Sequence, residues 1–168
     1  MYDKLTKKDI ALMEAELEDR RLNVRPRIME EVKRTRAFGD LSENYEYKAA
    51  KQEQRKNDSR VRYLQNMIKT AQIVDEDRGG KDQVKLYDKV TVYLPEDDEE
   101  MVIQVVSTVR IQPDEGFISM ESPLGKAVLG HRVGDTVSVR VDDSYAYDAE
   151  IRRIEAAEDD GSAPLMPY

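Results

Sequence analysis

The apolar residues of the first half of the chain lie on two stripes that mirror each other. Asn57, Val61, Leu64, Ile68 and Ala71 follow a 4-3-4-3 spacing, the repeat that lines one seam of a coiled coil. Ile10, Met13, Leu17 and Val24 keep the same spacing with Arg20 interrupting, and Ile28 and Val32 continue it. Folding the chain at Asp40–Leu41 sets Val24 opposite Asn57, Leu17 opposite Leu64, Met13 opposite Ile68 and Ile10 opposite Ala71. Two stripes in antiparallel register constrain this half to a helical hairpin. Each arm has roughly thirty residues, about 45 Å at 1.5 Å per residue. Pro26 conflicts with the pattern, because a proline inside a helix costs about 3 kcal/mol. A kink or break is expected near Asn23–Arg25, with Pro26 opening a second segment. Asn57 has two readings, a register-setting polar residue or a tolerated defect beside Pro26.

The second half switches to a period of two. Val90-Thr91-Val92-Tyr93-Leu94, Met101 to Val106, Thr136 to Val141 and Ala146 to Ile151 alternate as strands do, and Val84 to Tyr87 leads into them. Turn-rich segments separate them, such as Pro95-Glu96-Asp97-Asp98 and Pro113-Asp114-Glu115-Gly116. One short helix fits Gly125 to Leu129, with Ser122 as its cap and Pro123 at its first position. The fold class is therefore α+β: an N-terminal antiparallel coiled-coil hairpin (1–76), a linker (77–82) and a small antiparallel sheet domain with one short helix (83–157). The composition of residues 158–168 predicts a disordered tail.

Composition excludes several chemistries. The 168 residues contain no cysteine, so disulfides and thiolate metal sites are ruled out, and a single histidine, His131, makes a histidine-cluster metal site untenable. His131 reads as a surface or turn residue. No apolar run approaches the roughly 18 residues of a membrane span, and the first residues lack the apolar core of a signal peptide. A cytoplasmic protein without membrane contact is expected. Charge is divided unevenly: residues 1–75 hold 17 Lys/Arg against 14 Asp/Glu, and residues 76–168 hold 10 against 21. Such asymmetry points to divided labour between the halves, although the acidity also serves solubility.

The hairpin tip carries more than turn chemistry. Gly39 and Asp40 suffice for a turn, yet Asp40, Glu43 and Glu46 place three carboxylates close together. With a second helix starting near Ser42, Glu43 and Glu46 share its first-turn face. A structural role is open to them, since acidic residues at a helix N-terminus contribute about 0.3–1 kcal/mol and Ser42 or Asp40 could cap the helix. Carboxylates at the end of a long hairpin also suit delivery of negative charge into another molecule's site.

The run Gly39-Asp40-Leu41-Ser42-Glu43-Asn44-x-Glu46-Tyr47-x-Ala49-Ala50-Lys51 resembles the signature of the Gre family of bacterial transcript cleavage factors. Downstream, Ser122-Pro123-Leu124-Gly125-Lys126-Ala127-Val128-Leu129-Gly130 is similar to the family's C-terminal segment, which helps dock the factor on RNA polymerase. Arg25-Pro26 and Ala71 to Asp75 also fall where the family has similar residues. The resemblance implies an FKBP-like fold for the second half. It implies a transcription elongation factor that binds bacterial RNA polymerase and inserts its coiled-coil tip in the secondary channel. There it stimulates the polymerase's own cleavage of backtracked RNA 3′ ends, and is no independent enzyme.

Phosphodiester hydrolysis often uses two metal ions about 3.5–4 Å apart, and a weakly held Mg²⁺ can be recruited by one or two added carboxylates. By resemblance Asp40 and Glu43 are the catalytic and metal-binding pair, with Mg²⁺ held jointly with the polymerase and no cofactor bound tightly by the chain. Ser42, Glu46 and Tyr45 support the tip. Tyr45 stands where the family usually has a small residue, and would either stack on an RNA base or pack across the hairpin. Arg34, Arg36, Lys48, Lys51 and Arg55 are candidates for contact with the nascent RNA 3′ segment, or else form a solvated helix face. Ser122, Pro123, Gly125 and Lys126 are the expected exposed docking residues. A monomer is expected. The rival readings are a Gre-like polymerase inhibitor, an adaptor without cleavage stimulation, and a prolyl isomerase or chaperone. A single aspartate at the tip disfavours the first, and the scarcity of aromatic pocket residues disfavours the last.

Overall fold

The computed structural model describes residues 3–39, 44–75, 80 and 82–167. They divide into two compact units, residues 10–71 and residues 3–9 with 72–167. In chain order the elements are β1 (Lys4–Leu5), α1 (Lys7–Asp19), a π-helical turn (Arg20–Val24), α2 (Arg25–Arg36) and α3 (Tyr45–Thr70). After β2 (Gln72–Ile73) come β3 (Lys89–Leu94), β4 (Glu99–Val106), β5 (Phe117–Ser119), α4 (Pro123–Val128), β6 (Thr136–Arg140) and β7 (Ala146–Glu155).

The helical unit is the expected hairpin, with an unexpected solution to Pro26. The ring of a proline collides with the carbonyl four residues before it, and its nitrogen has no hydrogen to donate. Here the preceding turn widens, and the Arg25 N–H donates to the Arg20 carbonyl, one residue further back than in an α-helix. The helix therefore continues through the widened turn, with Pro26 in the first turn of α2.

The seam between the arms mixes apolar layers with a polar clamp. Met13 and Leu64 are fully buried, and Ile28, Val32 and Ala50 form a buried cluster flanked by Val24 and Tyr47. Between these layers Arg20, the residue that interrupts the apolar stripe, donates from Nη1 to Asn57 Oδ1 at 3.0 Å. Its Nε donates to Glu16 Oε1 at 2.8 Å, and Arg60 grips the same carboxylate from α3 with two bonds of 2.9 Å. Burial alone would raise the Glu16 pKa. The bonds from Arg60 and Arg20 outweigh it and hold the carboxyl below its usual range. Asn57 is thus a buried residue whose oxygen has a partner on the opposite arm, rather than an unsatisfied polar group in the seam.

In the second unit the strands form a sheet of order β5-β4-β3-β7-β6. Pairing is antiparallel except at β4–β5, where Val105 lies beside Ile118 in a parallel ladder. The expectation of a wholly antiparallel sheet is corrected at that edge. A further parallel pair joins β1 to β2, Lys4 beside Gln72 and Leu5 beside Ile73. Both departures involve strands of two or three residues, too short to show a period. The core is what alternation demands: Val90, Val92, Ile103, Val105, Val137, Val139, Ala149 and Ile151 point to one face, and Val128 of α4 closes over them. A small curled sheet bearing one short helix agrees with the FKBP-like fold expected for this half. Val84 to Tyr87 is not a strand, and Tyr87 takes a left-handed conformation with φ of 71°.

Tyr87 is held there by a buried polar cluster. Thr6 and Asp9 form a reciprocal capping box at the start of α1: the Thr6 N–H donates to Asp9 Oδ2 at 2.8 Å, and the Asp9 N–H donates to Thr6 Oγ1 at 3.1 Å. The other oxygen of Asp9 accepts from the Tyr87 hydroxyl at 3.2 Å and from Arg110 Nη1 at 3.3 Å. Arg110 is wholly buried and also pairs with both oxygens of Asp159. Burial opposes its charge, yet Asp159, Tyr87 and Asp9 more than offset that, so its pKa lies above the ordinary arginine value. Burial, followed by the nearby Asp9 carboxylate, pushes the Tyr87 phenol up.

This cluster corrects the disordered tail. Ala163 is 2% exposed, and its carbonyl accepts from Arg110 Nε at 2.8 Å. The Met166 N–H donates to the Val109 carbonyl at 2.8 Å. Small and acidic residues near a C-terminus look structureless by composition, but a buried guanidinium needs anions and carbonyls around it. The boundaries shift too, because residues 3–9 belong with the sheet unit rather than the hairpin. Most of the expected linker 77–82 lies outside the described residues.

Candidate nucleic-acid interface and docking surface

The tip is framed by Asn44. Its Oδ1 accepts from the Tyr47 N–H at 3.0 Å, which makes Asn44 the N-cap of α3. Its Nδ2 donates to the Thr35 carbonyl at 2.6 Å, near the end of α2. One side chain therefore starts the returning helix and ties it to the outgoing one. Thr35 is fully buried and bonds back to the Glu31 carbonyl. Gly39 takes φ of 91°, the left-handed conformation that glycine adopts without strain. The expected helix start near Ser42 and a cap at Ser42 or Asp40 are both corrected: α3 starts at Tyr45. An amide can cap and bridge at once, having both an acceptor and donors, whereas a carboxylate only accepts. Asp40, Ser42 and Glu43 themselves lie outside the described residues.

Around this frame the described side chains are charged and aromatic. Arg34, at the end of α2, pairs with Glu31 at 2.5 Å and reaches Glu46 in the first turn of α3 at 3.4 Å. The hydrogen bonds and charge of Glu31 raise the Arg34 pKa, and Arg34 in turn lowers that of Glu31. The Arg34 guanidinium lies 5.2 Å from the Phe38 ring centroid, and Lys48 Nζ lies 5.5 Å from that of Tyr45. Tyr45 is 80% exposed and Phe38 53% exposed, so Tyr45 does not pack across the hairpin. Arg36 and Arg55 are exposed, while Lys51 is half-buried and donates to Gln54 Oε1 at 2.9 Å. Phe38 and Asn44 are the tip residues that sequence reasoning passed over. The signal for Asn44 was its position three residues before Tyr47, a capping spacing masked by the serine and acids around it.

At the other candidate site, α4 starts as expected. Ser122 Oγ accepts from the Gly125 N–H at 3.1 Å and donates to the Ser119 carbonyl at 2.6 Å. Pro123 and Lys126 are exposed, and Lys126 pairs with Glu121 at 3.4 Å. Gly125 is the correction here: it is buried, and a Cβ in its place would run into the Ser119 carbonyl oxygen. It is glycine because the helix lies directly on β5, so it contributes packing rather than exposed surface. Ser122 is a half-buried cap. Beside α4 an open apolar groove is lined by Ile111, Ile118, Leu124, Val141 and Tyr147. His131 is exposed and lies 3.4 Å from Asp135. Among the described residues no three His, Cys, Asp or Glu side chains converge to hold a metal, and no helix is long and apolar enough to cross a membrane.

A capped helical hairpin with a charged tip, followed by a small curled sheet with an exposed helix edge, defines a two-unit α+β factor. The family described as transcription elongation factor, N-terminal, matches residues 4–73, and the GreA/GreB C-terminal family matches residues 79–156. The chain belongs to the GreA/GreB family of transcription elongation factors. It is 37% identical over 153 residues to transcription elongation factor GreA of Oenococcus oeni, covering 91% of this chain and 94% of that one. It is 43% identical over 136 residues to GreA of Geobacillus kaustophilus, covering 81% and 86%. Among solved structures, GreA factor homolog 1 of Thermus thermophilus is 28% identical, with a TM-score of 0.43 and coverage of 93% of this chain and all of that one.

Proposed function

We propose that the protein binds bacterial RNA polymerase through its sheet unit and inserts the hairpin tip in the secondary channel, where it stimulates cleavage of backtracked RNA 3′ ends. The observation that carries this reading is the tip: two family-matching carboxylates, Asp40 and Glu43, follow an α2 end that Asn44 ties to the start of α3. Carboxylate oxygens are the donors that Mg²⁺ prefers. Bound jointly by the tip and the polymerase, Mg²⁺ would supply Lewis-acid stabilisation of the phosphodiester in hydrolysis. Asp40 and Glu43 bring charge to that site, Ser42 and Glu46 support the tip, and the chain holds no cofactor tightly alone. Arg34, Arg36, Lys48, Lys51 and Arg55 guide the RNA 3′ segment by phosphate contact. Pro123, Lys126 and the groove beside α4 meet the polymerase. The factor acts as a cytoplasmic monomer and is not an enzyme without its partner.

The test is cleavage of 3′-labelled RNA in stalled, backtracked complexes with Mg²⁺, comparing wild type with Asp40→Asn/Glu43→Gln. Wild type should accelerate cleavage, and the double variant should lose that effect by on the order of 10²-fold while still binding the polymerase. Binding without stimulation by the wild type would overturn the reading and leave an inhibitor or adaptor.

A further inference from the structure

Tyr45 occupies the first position of α3 with four-fifths of its surface in solvent. An aromatic ring in that state contributes little to folding, since the apolar area it could bury stays wet. Phe38, just past the end of α2, is more than half exposed. Each ring has a cation three or four residues away on its own arm, Lys48 for Tyr45 and Arg34 for Phe38. The two cations differ. Arg34 is engaged by Glu31 and Glu46, whereas Lys48 contacts the Tyr45 ring. Exposed aromatics interleaved with basic side chains form the surface that binds single-stranded nucleic acid: rings stack on bases while cations meet phosphates.

We infer that Tyr45, backed by Lys48, is a stacking platform for an unpaired base of single-stranded RNA, a positioning residue that holds the strand against the tip. Phe38 with Arg34 is the secondary platform. Lys48 serves twice, polarising the ring and presenting its charge to the phosphate on the 5′ side of a stacked base. Stacking depends on the area of the base, so the platform favours purines over pyrimidines. The inference rests on the proposed encounter of this tip with RNA, and deepens it by assigning the base-contacting residue and its preference.

The test uses the full chain carrying Asp40→Asn/Glu43→Gln, so that the RNA stays intact, and an RNA whose 3′ base is 2-aminopurine. Emission of 2-aminopurine falls when it stacks. It is read first in a backtracked polymerase complex and then on a free oligonucleotide at low salt, with polymerase binding scored separately by co-sedimentation. With Tyr45 present the emission should fall. Tyr45→Phe should preserve the drop, and Tyr45→Ala should abolish it and weaken retention of the RNA by on the order of ten-fold. Lys48→Ala should weaken retention and its salt dependence while leaving a residual drop. With an abasic 3′ end, Tyr45→Ala and its parent should retain the RNA equally. Equal emission for Tyr45→Ala and its parent in both settings overturns the inference, whether or not the protein binds polymerase. A Tyr45-dependent drop on free RNA without polymerase binding would sustain the platform and overturn the cleavage reading instead.

Discussion

An arginine between two carboxylates beside an aromatic ring recurs among the described residues, at Arg110, Arg34 and Arg152, and the first two have opposite consequences. Arg110 lies between Asp9 and Asp159 over Tyr87, with no part of its side chain exposed. Arg34 lies between Glu31 and Glu46 over Phe38, with its side chain 55% exposed. At Arg110 water has been removed, so every donor must find an acceptor and each loss leaves a stranded charge. At Arg34 water and salt screen the same contacts, so they hold the tip lightly and can be exchanged for a phosphate. Burial, not residue type, separates a structural ion cluster from a binding surface.

The sharpest way to break this contrast is Arg110→Met, which leaves Asp9 and Asp159 buried without their cation. We expect a loss of about 3–5 kcal/mol, measured by urea unfolding of the full chain. A change below about 1 kcal/mol would mean that the cluster is not the buried unit described. Asn57→Ala comes next, because it leaves Arg20 Nη1 without its acceptor in the seam. The expected cost is about 1–3 kcal/mol, and Asn57→Leu should allow a second register, seen as heterogeneous amide spectra.

The clamp at Glu16 sharpens the comparison through pH. Burial would raise its pKa, but the bonds from Arg60 and Arg20 hold it below the ordinary glutamate value, so the stability it contributes is present above the unfolded value and is lost as pH falls through the folded one. Unfolding followed below about pH 5 should be less acid-sensitive in Glu16→Gln than in wild type. An identical acid slope would remove Glu16 from the account. The smallest effect belongs to Arg34→Ala, which should leave the unfolding midpoint where it is while lowering the salt concentration at which RNA is released. A destabilised Arg34→Ala chain would show that the exposed cluster is structural after all.

Much of this was legible in the residues. The two 4-3-4-3 stripes placed Met13 and Leu64 in the seam, and both are buried. The period-two runs marked β3, β4, β6 and β7, and Ser122 with Pro123 marked the start of α4. The family match over both halves agrees with the motif around Asp40 and with the segment from Ser122 to Gly130. Less was readable where a residue's role depends on a partner far along the chain. Arg20 looked like an interruption until Asn57 was found opposite it, and Gly125 looked like surface until Ser119 was found beneath it.

Local chemistry was enough for the hairpin, the strand pattern, the helix cap at Ser122 and the acidic tip, because propensity, period and capping act within a few residues. Arg110 drawing Asp9 and Asp159 across separations of 101 and 49 residues needed the folded chain. So did the use of Asn44 as the strut of the tip, nine residues from Thr35. Those outcomes follow from desolvation: once a charge or an amide is closed off from water, its partner is whichever group the fold brings near.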